Sequence, residues 1–242
     1  VPPTSWTTPF VGDPAASITA PHSVKVLPGN YLITTPILIN YDGSHLLGSG
    51  ERSTLLWFNP TVANTACIQM QSYKGVALNA TQLFNCSVRD IKIASTHTSS
   101  KKTGIEFTNL GTCTFENIQI TAGTNLTPDA GSRFSDTSHE SIGIWSKGRD
   151  FIAFRNINLA ADFPLVLGVN PTAARTTVED SDHYNFHNSY LQPFTNPSRT
   201  AGYSHTPFAN GNPSVLIQDG VNLSDVSFTG QHAWLGGSYG LY

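Results

Sequence analysis

The sequence predicts an all-β protein in which short strands stack as the parallel coils of a solenoid. Three observations favour this fold class. Charged residues make up only 12% of the 242 residues, about half the usual share, which suits many short strands and polar turns. Five short segments repeat one alternating apolar pattern, and a second strand precedes three of them at a fixed offset. Because such strands cannot bury a core singly, stacking in a solenoid gives them one.

The repeated pattern has an Asn or Asp directly before an apolar-x-apolar triplet. It occurs in SVRDIKI (87–93), TFENIQI (114–120), AFRNINL (153–159) and NLSDVSF (222–228), and a fifth segment, NFHNSYL (185–191), follows it except at Ser189. The Asn or Asp residues are Asp90, Asn117, Asn156, Asn188 and Asp225, and a large apolar residue lies two positions before each: Val88, Phe115, Phe154, Phe186 and Leu223. Equivalent residues of parallel coils lie above one another, so the sequence predicts a ladder of Asn and Asp side chains at one corner.

A second strand is predicted twelve residues before the ladder residue. Leu78, Ile105 and Ile144 stand at this offset in three consecutive segments. The offset indicates a constant separation between the two strands of a coil. Tight corners such as TNLGT (108–112) and SKGRD (146–150) are expected to join them.

The N-terminal part supplies further coils of the same solenoid. VKVLPGNYLITTPILI (24–39) and SHLLGSGERSTLLWF (44–58) contain strand-like runs around Gly-containing turns. We therefore expect residues 1–22 to form an extension or cap and residues 23–242 to form the solenoid. The final HAWLGGSYGLY stops within a coil, so the chain is expected to be a fragment of a longer protein.

Two long insertions interrupt the predicted solenoid, at residues 121–140 and 192–213. Both follow the same strand of their coils, so they are expected to project from the same edge, two coils apart. Functional loops often sit on a rigid scaffold, and polar groups beside aromatic side chains suit sugar rings. The alternative is that these loops pack against a neighbouring subunit. The candidate substrate-binding residues in them are Asp136, His139, Tyr203 and His205.

The most acid-rich segment is VEDSDHYNFH (178–187), which lies between the two insertions along the solenoid axis. Its carboxylates are candidates for a glycoside hydrolase pair, which needs two carboxyl groups about 5 to 10 Å apart. Such oxygens can also hold Ca²⁺, and a solvated turn rich in Asp and Ser is the alternative without function. The candidate catalytic residues here are Glu179, Asp180 and Asp182.

The residue directly before each ladder position is expected to point outward. These residues are Arg89, Glu116, Arg155, His187 and Ser224. Stacked Arg-Glu-Arg side chains stabilise the surface of any sheet, whereas in a sugar-acid site a cation neutralises the carboxylate beside a base. Arg89, Arg155 and His187 are candidate substrate-binding residues. Glu116 is a candidate catalytic residue together with Glu106, which lies on the preceding strand of the same coil.

Composition limits the other ligand classes. The net charge of −3 disfavours a nucleic-acid partner, because phosphate binding needs clustered Lys and Arg. No run of 18 apolar residues occurs, so no insertion into a membrane is expected. Cys67, Cys86 and Cys113 have neither a CxxC pairing nor a neighbouring His pattern, so we expect buried thiols, no metal site and no cofactor.

Residues 27–56, LPGNYLITTPILINYDGSHLLGSGERSTLL, resemble the N-terminal coils of right-handed parallel β-helices of the pectate-lyase-like superfamily. The N-I-x-I segments are similar to its repeating coils, and the resemblance covers about residues 23–230. Low charge, Asn and Thr richness and irregular insertions are most similar to bacteriophage tailspike proteins. This resemblance implies a right-handed parallel β-helix, a homotrimer and a place in the phage virion. Catalytic residues stand at different positions across the superfamily, so the resemblance assigns none here.

The expected function is that of a tailspike-like receptor-binding protein that binds and depolymerises a bacterial surface polysaccharide. Hydrolysis by paired carboxylates is favoured over β-elimination, because acidic residues outnumber Lys and Arg near the insertions. One alternative is a virion protein that only binds or has a structural role. Another is a secreted, pectinase-like polysaccharide lyase that acts as a monomer.

Overall fold

The computed structural model describes residues 23–60, 65–72, 82–95, 102–121, 141–161, 163–168, 179–193, 214–217, 221–229 and 232–233. This part of the chain is all-β, and no helix in it has the length and hydropathy to cross a membrane. Its strands are β1 Ser23–Lys25, β2 Gly29–Ile33, β3 Ile37–Ile39, β4 His45–Leu47, β5 Thr54–Phe58, β6 Thr65–Met70, β7 Leu83–Phe84, β8 Ser87–Ala94, β9 Lys102–Gly111, β10 Thr114–Thr121, β11 Ser141–Ala161, β12 Phe163–Leu167, β13 Glu179–His187, β14 Tyr190–Pro193, β15 Val215–Ile217, β16 Val221–Ser224, β17 Ser227–Thr229 and β18 His232–Ala233.

The strands pair in parallel with their equivalents in the neighbouring coils. For example, β10 pairs with β8 on one side and with β11 on the other, so that Val88, Phe115 and Phe154 form one column. The coils stack about 4.8 Å apart, which is the spacing of paired strands. The described chain is therefore a right-handed parallel β-helix, as the sequence predicts.

Each complete coil turns at bends where the backbone is left-handed. In the coil of residues 102–121, the bend residues Asn109, Thr112 and Asn117 have φ of 57°, 55° and 52°. We call the stretch before Asn109 the first face, the stretch between Thr112 and Asn117 the second face, and the stretch after Asn117 the third face. The same names apply to the equivalent stretches of the other coils.

Inward side chains fill the core with apolar columns. An aromatic column runs through the second face, where the ring centroids of Phe115 and Phe154 are 5.1 Å apart. The centroids of Phe154 and Phe186 are 4.2 Å apart, and those of Phe186 and Phe228 are 4.7 Å apart. The first three rings are buried, whereas Phe228 is 38% exposed. Aromatic contacts add to the hydrophobic burial, so this column stabilises the register of successive coils.

The predicted ladder is present at the bend between the second and third faces. Asn117 Nδ2 donates to Asp90 Oδ1 at 2.8 Å, and Asn156 Nδ2 donates to Asn117 Oδ1 at 2.9 Å. Asn188 Nδ2 continues the ladder by donating to Asn156 Oδ1 at 2.7 Å. All four residues have φ between 49° and 58°. Asn suits this position because it tolerates left-handed φ and its amide both donates and accepts.

The prediction is wrong for the fifth ladder residue, Asp225. β17 pairs with β13 so that Phe228 lies above Phe186. Asp225 consequently lies above His183, at the bend before the second face, and Phe228 rather than Leu223 continues the apolar column. Both bends require left-handed residues and lie five residues apart, so an Asp at the earlier bend imitates the ladder pattern.

The second predicted column is correct for Ile105 and Ile144, which pair directly. Leu78 is not its third member, because Ile68 of β6 pairs with Ile105. Leu78 itself lies outside the described residues. The fixed offset fails here because the number of residues between the first and second faces differs between coils.

Both long insertions leave the β-helix from the third face. Residues 122–140 and 194–213 lie outside the described chain, and the strands before them, β10 and β14, continue to Thr121 and Pro193. Both strands pair with β11, so the last described residues before the two insertions lie on the same face, two coils apart. The expected extension or cap at residues 1–22 also lies outside the described residues.

Asn156→Ala is expected to lower the free energy of unfolding by about 2–4 kcal/mol. The change removes the bonds to Asn117 and Asn188 and leaves an Ala at a φ of 52°. Asn156→Gly removes the same bonds but fits this φ, so it should cost about 1–2 kcal/mol less. Denaturant unfolding of both variants measures the difference. Equal losses would refute the explanation that left-handed φ selects Asn in the ladder.

Candidate functional site

Two acidic residues pair at the corner that precedes the second face. Asp150 of β11 pairs with Asp182 of β13, and Asp182 pairs with Ser224 of β16. The Cα atoms of Asp150 and Asp182 are therefore one coil apart, about 4.8 Å. Gln82 Nε2 donates to Asp150 Oδ2 at 3.4 Å. The fold thus brings together two acids that are 32 positions apart in the sequence.

His183 joins the carboxylates of two successive coils. Its Nδ1 lies 3.0 Å from Asp182 Oδ1, and its Nε2 lies 3.2 Å from Asp225 Oδ2. His183 and Asp225 have φ of 53° and 49° and occupy equivalent positions of the same bend. A protonated imidazole donates to both carboxylates. His183 therefore orients Asp182 and places a group that can transfer protons beside it.

An exposed aromatic ring lies beside these groups. Phe151 is 58% exposed and stacks on the imidazole of His183, with 4.4 Å between ring centroids. Its φ of 57° is unusual for an aromatic residue, and such conformations cluster at functional sites. An exposed ring among polar groups suits the C–H face of a sugar. We name this cluster the acidic corner, and its members are Asp150, Phe151, Asp182, His183 and Asp225.

The second face next to the acidic corner is lined by small side chains. They point away from the aromatic column of the core and are Thr114, Ala153, Asn185 and Ser227. Longer side chains stand at both borders of this strip, with Phe151 on one side and Arg155 on the other. These two residues are four positions apart along the strand, roughly 13 Å. The second face therefore forms a shallow trough that runs parallel to the solenoid axis.

The far border of the trough is the predicted outward column. Glu116 pairs in register with Arg89 and Arg155, and Arg89 Nη1 lies 3.3 Å from Glu116 Oε2. His187 follows Arg155 in the next coil. The last member is Thr229 and not Ser224, because the shifted alignment that misplaced Asp225 also misplaced Ser224. The column presents more cationic than anionic groups to the trough.

Glu106 lies on the first face, two bends away from Glu116. Its Oε1 accepts a hydrogen bond from Lys147 Nζ at 2.6 Å, and that ammonium lies 4.2 Å from the ring centroid of Trp145. Trp145 Nε1 donates to Gly168 O at 2.6 Å. Glu106 and Glu116 thus each have a cationic partner on their own face. Their role as a catalytic pair stays a prediction.

Asp182, His183 and Asp225 form a possible metal-binding group within the described residues, with ligand atoms that lie within 4.8 Å of one another. However, the two carboxylates contact opposite nitrogens of one imidazole. A single ion can bind only one of these nitrogens, so the other carboxylate would lie across the ring from it. The arrangement fits a hydrogen-bonded chain better than a metal centre.

The remaining predicted site residues are only partly described. Glu179 and Asp180 lie in β13 next to Asp182, but their side chains are outside the part of the structure that is described. The predicted residues of the two insertions also lie outside it: Asp136, His139, Tyr203 and His205.

Sequence analysis assigned no role to Asp150 or Phe151, and His183 lay within the acid-rich segment without a predicted role. A signal for Asp150 was present, because Asn156 and Asn188 are 32 positions apart and the same offset brings Asp150 to Asp182. No pattern in the sequence marks a bend residue as exposed, so Phe151 had no comparable signal.

Known proteins share this fold. The crystal structure of the Dettilon tailspike protein matches with a TM-score of 0.52 and 16% sequence identity, over 86% of this chain and 32% of that chain. The chain thus spans about a third of the length of that protein. Among curated protein sequences, none matches significantly. A family model described as rhamnogalacturonase A/epimerase, pectate lyase-like, matches residues 14–188. Because this match covers most of the chain, the protein belongs to the rhamnogalacturonase A/epimerase, pectate lyase-like family.

Proposed function

We propose that the protein binds a polysaccharide in the trough of the second face and hydrolyses it at the acidic corner. The observation that carries the proposal is the pairing of Asp150 with Asp182 beside exposed Phe151. Retaining glycosidases place their two carboxyl groups about 5–5.5 Å apart. The backbones that carry Asp150 and Asp182 are one coil apart, about 4.8 Å, so their side chains can reach that separation around a substrate. The family description names a rhamnogalacturonase and pectate lyase, which supports a polysaccharide substrate.

The two carboxylates have different roles in this proposal. The contact of 3.0 Å between His183 and Asp182 orients Asp182 as the nucleophile, so Asp150 is the group that protonates the glycosidic oxygen. Water then hydrolyses the glycosyl ester on Asp182, with Asp150 acting as the base. Phe151 supports the sugar ring on one side of the cleavage point.

The proposed biological role is that of a tailspike-like receptor-binding protein of a phage virion. Its substrate is then a bacterial surface polysaccharide, and its assembly a homotrimer. The fold similarity to the Dettilon tailspike protein supports this role, as does the low content of charged residues, 12%. The alternative is that the protein is secreted and acts outside the cell as a free enzyme.

A second candidate function is polysaccharide cleavage by β-elimination. The cationic column of the trough favours it, because Arg155 and His187 can bind an acidic sugar while a neighbouring base removes a proton. In that case the acidic corner binds the polysaccharide but does not cleave it.

Incubation with purified capsular polysaccharides and O-polysaccharides tests these proposals. Hydrolysis releases saturated oligosaccharides with new reducing ends, which is the expected result. Products that carry an ultraviolet-absorbing double bond would show that the protein is a lyase and not a hydrolase. If a polysaccharide binds but no product forms, the protein is an adhesin and not an enzyme. If no acidic or neutral polysaccharide binds, the proposal is rejected.

A further inference from the structure

Two buried thiols face each other inside the solenoid. Cys86 and Cys113 are 2% and 1% exposed. They occupy equivalent positions of successive coils, because Ser87 pairs with Thr114 and Thr114 N donates to Cys86 O at 3.0 Å. The cysteines lie outside the acidic corner and the trough.

The spacing of this pair meets the requirement of a disulfide. In-register residues of paired strands lie about 4.8 Å apart, and the Cα atoms of bridged cysteines lie about 4.4–6.8 Å apart. Both cysteines are free thiols in this structure. Because their backbone spacing already suits a disulfide, a bridge would need little movement of the backbone.

The pKa values of the two thiols shift in opposite directions. The hydrogen bond from Cys113 lowers the pKa of the Cys86 thiol, whereas the same contact raises the pKa of Cys113. Burial raises the pKa of Cys67, the third cysteine, which lies in β6. Because the thiolate is the nucleophile in disulfide exchange, Cys86 is the thiol that reacts first.

We propose that Cys86 and Cys113 are a redox modification site, which forms a reversible disulfide between successive coils in the presence of a small disulfide such as oxidised glutathione. The Cys86 thiolate attacks one sulfur of glutathione disulfide, forms a mixed disulfide and releases one glutathione thiolate. Cys113 then loses its proton and attacks the Cys86 sulfur, which releases the second glutathione thiolate. The net reaction oxidises two protein thiols and reduces one small disulfide to two thiols.

The cross-link restrains the unfolded chain across the segment between the two cysteines, which contains the first ladder residue, Asp90. Closure of such a loop stabilises the folded protein. Since both sulfurs are buried, exchange needs a local opening of the coils, so we expect it to be faster in urea below the unfolding transition.

Peptide mapping tests the proposal directly. The protein is incubated with oxidised glutathione, both in sub-denaturing urea and during refolding, then alkylated and digested with trypsin without reduction. We expect a linked pair of peptides 75–89 and 103–133, a mass loss of two hydrogens, and reversal by dithiothreitol. The oxidised protein should also unfold at a higher denaturant concentration than the reduced protein.

Cysteine-to-serine variants show whether the disulfide forms between this pair or through another thiol. Cys67→Ser should form the linked peptides normally, and Cys113→Ser should instead retain glutathione on Cys86. Alkylation of all three cysteines after both treatments would overturn the proposal. Peptides linked through Cys67 in sub-denaturing urea would overturn it as well, because they would show exchange in unfolded chains rather than in the stacked coils.

Discussion

Asp182→Asn is expected to lower the rate of polysaccharide hydrolysis by at least about 100-fold. The amide keeps the shape of the side chain but cannot attack the sugar. Asp150→Asn should cause a comparable loss, because its amide cannot protonate the glycosidic oxygen. Initial rates at saturating substrate, measured as new reducing ends, give both values, and thermal unfolding establishes that the variants are folded.

Two controls apply the same chemical change outside the acidic corner. Glu106→Gln, on the first face, alters a carboxylate that is ion-paired with Lys147, and Glu116→Gln, at the far border of the trough, alters one that is ion-paired with Arg89. Both variants should keep most of the maximal rate, because neither carboxylate belongs to the acidic corner. Loss of activity in these two variants, with retention in Asp182→Asn, would move the catalytic pair to Glu106 and Glu116 and contradict the acidic corner.

Phe154→Ala is expected to destabilise the fold by about 3–5 kcal/mol. Phe154 is fully buried, and its ring lies within 5.1 Å of Phe115 and 4.2 Å of Phe186, measured between centroids. Its removal leaves a cavity in the middle of the aromatic column. Total stabilities of proteins are only about 5–15 kcal/mol, so the variant should unfold at a markedly lower denaturant concentration.

Phe228→Ala is the matched control for this prediction. Phe228 stacks on Phe186 at the end of the same described column but is 38% exposed. The cost should be well below that of Phe154→Ala, because less surface leaves water on folding. Equal losses for the two variants would contradict the view that the column contributes through buried packing.

The solenoid was predictable because stacking repeats the same physical requirements in every coil. Each coil must bury an apolar column and must fill a left-handed bend, and these needs place Phe115, Phe154 and Asn117 in a visible pattern. The prediction failed for Asp225, where the other left-handed bend carried the same residue type. A local pattern cannot distinguish two bends with the same conformational requirement.

The acidic corner was harder to predict, because its residues come from three coils of unequal length. Asp150, Asp182 and Asp225 meet only when the register of every intervening strand is known. The acid-rich segment drew attention to Asp182, since carboxylates are rare in this chain, and the catalytic role of Asp182 stays a prediction. Phe151 could not be predicted, because a bend residue carries no periodic signal for exposure. His183 was visible in the acid-rich segment, but its contacts with two carboxylates depend on the register of the coils.

A crystal structure of the Asp182→Asn variant with an oligosaccharide released by the native protein would locate the binding site. We expect a sugar ring against Phe151, with its glycosidic oxygen next to the carboxyl group of Asp150 and the oligosaccharide continuing along the trough of the second face. An oligosaccharide bound on the first face near Trp145, or one with no contact to the acidic corner, would disprove cleavage at the acidic corner.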